Sequence, residues 1–542
     1  MKEAALLFIN GNVLTLDKEN TRAGSVAVQA NKIVGIWKEA RPPAGSINIT
    51  ENTKVIDLEG DTLLPGFIDT HNHILMYGLM KDMVNCSTPP NSNIADVLSV
   101  LQDKTIQTEK GKWIQGYGYD DTLLEDKRHP TKEDLDKVSK EHPIFISHIS
   151  GHLAVANSFA LELAGLDENT VNPVGGQYGR TEEGELNGVL YESAAMAPLN
   201  AIIPNKSTEE KIELLGEAAK EYMKAGITTN TDAAVTDLES LDVHIEAYKN
   251  KKNPMRTQLM VMHHLMRESA PFGEYRASEL DEELANRSDG FVRLDSAKMF
   301  QDGSIQGLTG ALREPYYNQE NLYGELIHNQ EKFEEEILDL HKRGFRIAIH
   351  GNGDRAIGSI LDAFEAALEA YPRDHHLHRI EHVQTGTPGD LERMKRLEVA
   401  GSFFINHVYY WGDRHKHIFL GPDRGRRISP LKEAVDNGLL FTLHSDCPVT
   451  PISPLFSVWA AVNRTTRNGE TLGPEQRIDV TTALKSMTIY GAALINREND
   501  LGSLEIGKLA DFAVLEEDPT TIRKEAIKDI KVKAAFIDGQ EV

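Results

Sequence analysis

Cysteine is almost absent from this chain. Its 542 residues carry only Cys86 and Cys447, so no disulfide framework can be read and a reducing compartment, the cytoplasm, is the expectation. Basic charge is also scarce. Lys and Arg total 58 against 83 Asp and Glu, a formal net charge of −25. That balance argues against a nucleic-acid partner, which requires clustered cations, and against docking on an anionic membrane surface. No apolar run approaches the roughly 18 residues of a spanning helix. The opening "MKEAALLFINGNVLTLD" breaks at Asn10-Gly11 and has no small-residue cleavage site, so it reads as a strand and not a signal peptide. What is present is the composition of a soluble globular protein, 40% hydrophobic and 26% charged. The length suits roughly two to four domains.

Both ends of the chain have a β pattern. "ALLFINGNVLTLD" places an Asn-Gly turn between apolar runs, a hairpin signal. "KLADFAVLEED" and "IKVKAAFIDGQEV" alternate in the same way near the C-terminus. The expectation is a small β-sandwich built from residues 1–62 and 493–542. Residues 63–492 alternate strands and helices, with eight candidate strands: "LLPGFIDTHNH", "AGITTNTDAA", "MRTQLMVMHH", "FVRLDSAKMF", "GFRIAIHGNGD", "HHLHRIEH", "GSFFINH" and "GLLFTLHSD". Eight is the count of a (β/α)8 barrel. An open doubly wound sheet is the alternative, but no Gly-rich dinucleotide fingerprint opens a helix. In "NQEKFEEEILDLHKRG" the residues Phe333, Ile337 and Leu340 recur at helical spacing. About 150 residues separate the first two barrel strands, too many for a βα loop, so residues of about 76–215 are expected to form an inserted subdomain over the barrel mouth.

"LLPGFIDTHNH" ends in His71-Asn72-His73. In a strand, side chains two apart share a face, so two imidazoles project together, half of a metal site. The same strand ends carry Lys298, His350, His382 and Asp446. Barrel active sites lie at the carboxyl ends of the strands, and six ligand-type residues on five of eight strands point to a metal centre.

In that order, "PGFIDTHNH", a strand Lys, a strand His, "RIEH" and "HSD" resemble the amidohydrolase superfamily. "GYGYDDTLLEDKRHPTKEDLD", "HPIFISHISGHLAVANSFALELAG", "GGQYGRTEEGELNGVLYE", "KMFQDGSIQGLTGAL", "HGNGDRAI", "RIEHVQ", "SDCPVTPISPL" and "GSLEIGKLADFAVLEEDP" narrow the resemblance to amidohydrolase family 3. That group holds YtcJ-like metal-dependent hydrolases, among them deformylases of N-substituted formamides. The resemblance covers essentially the whole chain. It implies a distorted TIM barrel with His71, His73, Lys298, His350, His382 and Asp446 as ligands of two Zn2+ ions. Lys298, its pKa lowered by desolvation, would be carboxylated and bridge them. Asp446 would take a proton from an activated water and return it to the departing nitrogen. The implied reaction is hydrolysis of a linear amide of a small molecule, such as an N-substituted formamide or N-acyl amine. A deaminase, cyclic-amide hydrolase or esterase on this scaffold stays open, as does a non-catalytic binding barrel. Relatives suggest homodimers and leave the oligomeric state open.

Other polar residues are candidates for substrate contact: Asp120, His152, His407 and Trp411, each with a packing role as the alternative. Asn352 and Asp354 read as shaping the turn after His350, with Asp354 supporting that ligand. Glu381, beside His382 but expected on the opposite strand face, reads as structural. Asp446 has the alternative of capping a helix over "PVTPISPL", and Cys447 reads as a small buried residue.

Overall fold

The computed structural model describes residues 3–149, 151, 153–173 and 175–542, without the Ser193 side chain. The chain divides into two compact units, residues 1–77 with 215–542 and residues 78–214.

In the first unit eight strands lie in chain order in one sheet. They are β1 (Phe67–Asn72), β2 (Ile227–Val235), β3 (Arg256–Met262), β4 (Val292–Phe300), β5 (Ile347–Gly351), β6 (Arg379–His382), β7 (Ala400–Phe403) and β8 (Phe441–Leu443). Every neighbouring pair is parallel. β1 and β8 come together just past their ends. Asp446 N donates to His71 O at 3.2 Å and His73 N to Cys447 O at 2.7 Å, while the Thr70 and Thr442 hydroxyls lie 2.8 Å apart. These bonds bring the sheet nearly to closure as a (β/α)8 barrel.

The strands are buried almost throughout, β1 and β6 at every position, as a parallel sheet covered on both faces requires. Helices supply the cover. α1 (Gln330–Lys342) starts where Asn329 accepts from the backbone N–H groups of Glu331 and Lys332, and it buries Phe333, Ile337 and Leu340. α2 (Asp354–Ala370) follows β5. α3 (Pro388–Arg396) follows β6, with Thr387 and Asp390 in a reciprocal capping box.

All eight expected strands are present, most of them shorter than the quoted runs, and one run divides between two sheets. "LLPGFIDTHNH" is not a single strand: Thr62–Pro65 pairs antiparallel with Phe512–Leu515 in a terminal sheet, and β1 begins after Gly66. A Cβ at Gly66 would lie 2.2 Å from Thr228 Oγ1, so the crossing from one sheet to the other needs a residue without a side chain.

The termini form two facing sheets. One holds Leu6–Ile9, Ser25–Gln29, Lys32–Trp37 and Lys54–Asp57; the other holds Asn12–Leu14, Arg22–Ala23, Thr62–Pro65, Phe512–Leu515, Val532–Ile537 and Gln540–Glu541. Their shared core includes Phe8, Val26, Leu63, Phe512 and Phe536. The Phe8 ring meets Phe512 and Phe536 edge-on at 5.3 and 5.1 Å. Arg256, at the start of β3, joins Asp511 at 2.8 Å and Asp538 at 2.5 Å, tying this sandwich to the barrel.

The second unit is a mixed six-stranded sheet in which Val84–Asn85, Ile114–Tyr119 and Ile144–His148 run parallel, while Leu153–Ala156, Leu186–Tyr191 and Gln177–Arg180 continue antiparallel. The helices Ile94–Gln107 and Lys132–Val138 pack Val97, Leu101 and Leu135 against Ile114 and Ile146. Among the described residues no helix is long and apolar enough to cross a membrane.

Below the barrel, histidines serve as neutral connectors. The His378 Nδ1 accepts from Ile347 N at 3.1 Å, its Nε2 lies 2.8 Å from His341 Nδ1, and its ring stacks on Phe364. Burial, aided by neighbouring His376 and Arg373, holds His378 well below its ordinary pKa; at the opposite end, beside Gln384 and His407, burial pushes His415 down to about 3. Such groups take up protons in the unfolded chain first. Stability is therefore full above pH ~6.5 and is lost as pH falls below it. His415 alone accounts for about 2 kcal/mol by pH ~5. Urea midpoints measured between pH ~7.5 and ~5 are expected to fall steadily, and a flat profile would contradict the neutral assignment.

Candidate metal centre

The ends of β1, β5, β6 and β8 bring five of the six expected ligands into one cluster, with Lys298 on β4 beneath them. The His71 and His73 Nε2 atoms lie 3.5 and 3.1 Å from the same oxygen, Asp446 Oδ1. The His71 ring is 4.9 Å from the His382 ring, centroid to centroid. His382 Nε2 faces His350 Nδ1 at 3.0 Å. His350 Nε2 is 3.1 Å from the Gly303 carbonyl oxygen, and donation to it leaves Nδ1 turned toward His382.

Two of these positions depend on left-handed backbone. His382 has φ 71° and Asp446 φ 53°, conformations uncommon for residues with a side chain. At His382 the turn ends the strand's alternation. Glu381 and His382 consequently both reach His71, Glu381 Oε2 lying 2.6 Å from His71 Nδ1. The expectation that Glu381 is structural and faces away is corrected: it points into the barrel and orients a ligand. Asp446 caps no helix, since the helix Pro454–Asn463 is capped by Ser453.

Lys298 is fully buried. Among the described residues it makes no hydrogen bond, and its Nζ sits 4.8 Å from the Phe300 ring centroid. Burial lowers its pKa to about 8, against the opposing pull of Glu381 and Asp446. The amine is thus poised to lose its proton near neutrality. Asp446 goes the other way. Burial works to raise it, but the hydrogen bond from His73 and the neighbouring His71 outweigh that and hold it well below the usual carboxylate range. Burial, reinforced by Lys298, lowers His350 to about 3, leaving a neutral donor.

His444 is a residue the sequence reading missed. Its Nε2 is 3.2 Å from His382 Nδ1 and its ring stacks on His71 at 4.7 Å. Its ligand-capable atoms fall within 4.8 Å of those of His382 and Asp446. His444 stands two residues before Asp446, so the same i, i+2 reasoning that singled out His71 and His73 would have found it. Asp302, in "QDGS", was missed as well. Its buried carboxylate accepts from the backbone N–H groups of Ala311, Asn352 and Gly353 at 2.8–3.0 Å, and burial raises it to about 7. It fixes the loops after β4 and β5. The Asn352 amide lies 2.9 Å from His350 Nε2 and donates to Gly303 O at 3.0 Å, whereas Asp354 accepts from Arg313 N and opens α2.

His407 and Trp411 share the helix His407–Arg414, their rings 5.3 Å apart. His407 also lies 4.1 Å from the Phe404 ring, which stacks on His444. Asp120 belongs to residues 78–214, where its carboxylate accepts from Thr122 and groups with Asp121 and His148. His152 lies outside the described residues. Cys447 is buried, and burial pushes its thiol up to about 12, which suits an inert packing residue.

The residues fit a divalent metal centre: imidazoles and an ionised carboxylate converge, and a buried amine among them has no hydrogen-bond partner among the described residues. Burying such an amine is costly. Lys298→Met is expected to raise the thermal midpoint of metal-free protein while removing metal binding; a lowered midpoint would contradict the view that this amine is a cost to the fold.

The amidohydrolase family model matches residues 54–542. An N-substituted formamide deformylase of Arthrobacter pascens is 29% identical over 98% of this chain and 97% of its own. The protein LONG AFTER FAR-RED 3 of Arabidopsis thaliana is 30% identical over 99% of this chain and 91% of its own. Among solved structures, a metal-dependent hydrolase from Pyrococcus horikoshii superposes with a TM-score of 0.76 at 23% identity, covering 96% of this chain and 99% of that one. This chain belongs to the amidohydrolase family.

Proposed function

We propose that this protein is a metal-dependent hydrolase of a linear C–N amide bond, with an N-substituted formamide or N-acyl amine as the substrate class and two zinc ions as cofactor. The observation that carries this reading is Lys298, a buried amine with no hydrogen-bond partner among the described residues and a pKa lowered to about 8, beside His71, His350, Glu381 and Asp446. Its neutral Nζ would add to carbon dioxide with loss of a proton. The resulting carbamate offers two oxygens where the free amine offers one poor donor. His71, His73 and Asp446 would hold one cation, and His350 and His382 the other. Bound there, divalent cations supply an acidified water and polarise a carbonyl oxygen.

The chain's own groups do the rest. Asp446, ionised and turned to His73 Nε2 at 3.1 Å, accepts the proton of the attacking water and passes it to the departing nitrogen. Burial holds His71 and His382 below their ordinary pKa, in His71 against the opposing pull of Glu381, and their Nδ1 atoms face Glu381 and His444. Phe404, His407 and Trp411 form an aromatic wall, suited to an apolar substituent and to keeping bulk water from the reacting carbonyl. The N-substituted formamide activity of the Arthrobacter relative supports the substrate class.

Formamides, N-acyl amines, N-acyl amino acids, cyclic amides, aminopurines and lactones form the test panel against zinc-loaded protein. Turnover is expected to be highest on a linear amide, to vanish on chelation and to return with zinc and bicarbonate. A preference for cyclic amides, deamination or esters would replace the proposed substrate class. Asp446→Asn is expected to lower kcat by about 10²–10⁴-fold; kcat within threefold of the parent would remove Asp446 from proton transfer.

A further inference from the structure

His71 and His382 are held from behind by chemically different chains. His71 Nδ1 donates to Glu381 Oε2 at 2.6 Å. The other carboxylate oxygen, Oε1, accepts from Arg379 Nε at 2.5 Å, and Arg379 continues to Asp295 Oδ2 at 2.7 Å. The Ser296 hydroxyl donates to that same oxygen at 2.8 Å. Asp295, Arg379 and Glu381 are all buried, so these ion pairs are little screened by solvent. Both Glu381 oxygens are engaged, which assigns it to orienting His71.

His382 has a neutral chain in the same place. Its Nδ1 faces His444 Nε2 at 3.2 Å, and His444 Nδ1 faces the Ser402 hydroxyl at 2.8 Å. That hydroxyl is 3.4 Å from Thr70 Oγ1. Among the described residues no carboxylate hydrogen-bonds into this chain, although a Glu381 oxygen lies within 4.8 Å of a His444 nitrogen. In both cases Nδ1 is occupied and Nε2 is left facing inward: His71 Nε2 toward Asp446, His382 Nε2 toward His350. The difference lies in what the N–H meets. An imidazole whose N–H points at a carboxylate becomes a more basic donor at its other nitrogen, whereas a neutral acceptor does this less.

We infer that the two halves of the centre are unequal, with Glu381 and Arg379 as positioning residues that make the His71–His73–Asp446 half the tight cation site and leave the His350–His382 half, backed by His444 and Ser402, the weaker and exchangeable one. This rests on the metal-dependent reading above and goes beyond it by ranking the two positions and naming the side chains that rank them.

The test is titration of metal-free protein with Zn2+ against a chromophoric chelator, with far-UV circular dichroism and thermal midpoint recorded for each variant. The wild type is expected to show two affinity classes at least about tenfold apart. Glu381→Gln is expected to weaken the tight class by about 10–100-fold and leave the weak class within about threefold. Ser402→Ala is expected to weaken only the weak class. Should Glu381→Gln fail to fold, Glu381→Asp keeps a charge for Arg379 but is too short to reach His71, and the same selective loss is expected. Equal classes in the wild type, or Glu381 variants that weaken both classes alike or neither, would overturn the inference while leaving the metal-dependent reading intact. A wild type that binds no zinc would overturn both.

Discussion

Everything at the end of this barrel follows from removing water from polar groups that have no alternative partners. Five histidines, two carboxylates, an arginine and a lysine gather around His71 and Glu381, most of them buried. Desolvation penalises every charged form there, and each group must be satisfied by another or remain a cost. The outcome is a division of labour. Glu381 and Asp446 stay ionised because Arg379, His71 and His73 face them, burial keeps His71, His350, His382 and His444 neutral, and Lys298 is drawn down toward the pH at which its amine is free. A site of neutral nitrogen donors, an ionised carboxylate and an unpartnered amine is poorly suited to stability and well suited to cations. The fold carries this cost elsewhere, through almost fully buried parallel strands and the helices packed around them.

Much of this was legible in the chain. Eight apolar runs, each ending in polar residues, give a parallel barrel because both faces of such strands are covered, and the helical period of Phe333, Ile337 and Leu340 marks the covering layer. His71 and His73 were legible because alternation places them together. Alternation also misled. Glu381 was assigned to the far face because it neighbours His382, and the rule assumes a regular strand. With φ positive at His382, the last residue of β6, the alternation fails there and both side chains turn inward. Nothing in "RIEH" announces that turn, whose residues are not glycine or asparagine.

Other features depended on contacts far apart in sequence. The break at Gly66 is set by Thr228, about 160 residues away, and by pairing with Phe512–Leu515, so an apolar run read as one strand serves two sheets. Asp302 gains its role from three backbone N–H groups, one farther along its own loop and two on the loop after β5. His444 was different, since its spacing from Asp446 was visible and went unused. The chemistry of a ligand is thus easier to read from sequence than the chemistry of what holds it. The tethers behind His71 and His382 come from strands far apart in the chain, and they set how its nitrogens behave.

The central claim is that distant strands converge to pin two cations beside a modified lysine. It is tested most directly by crystallography of zinc-loaded protein with anomalous data collected at the zinc edge. The account predicts two anomalous peaks, one against His71, His73 and Asp446 and the other against His350 and His382, with density for a carboxyl group on Lys298 Nζ reaching both. An unmodified Lys298 and no peak among these residues would contradict it.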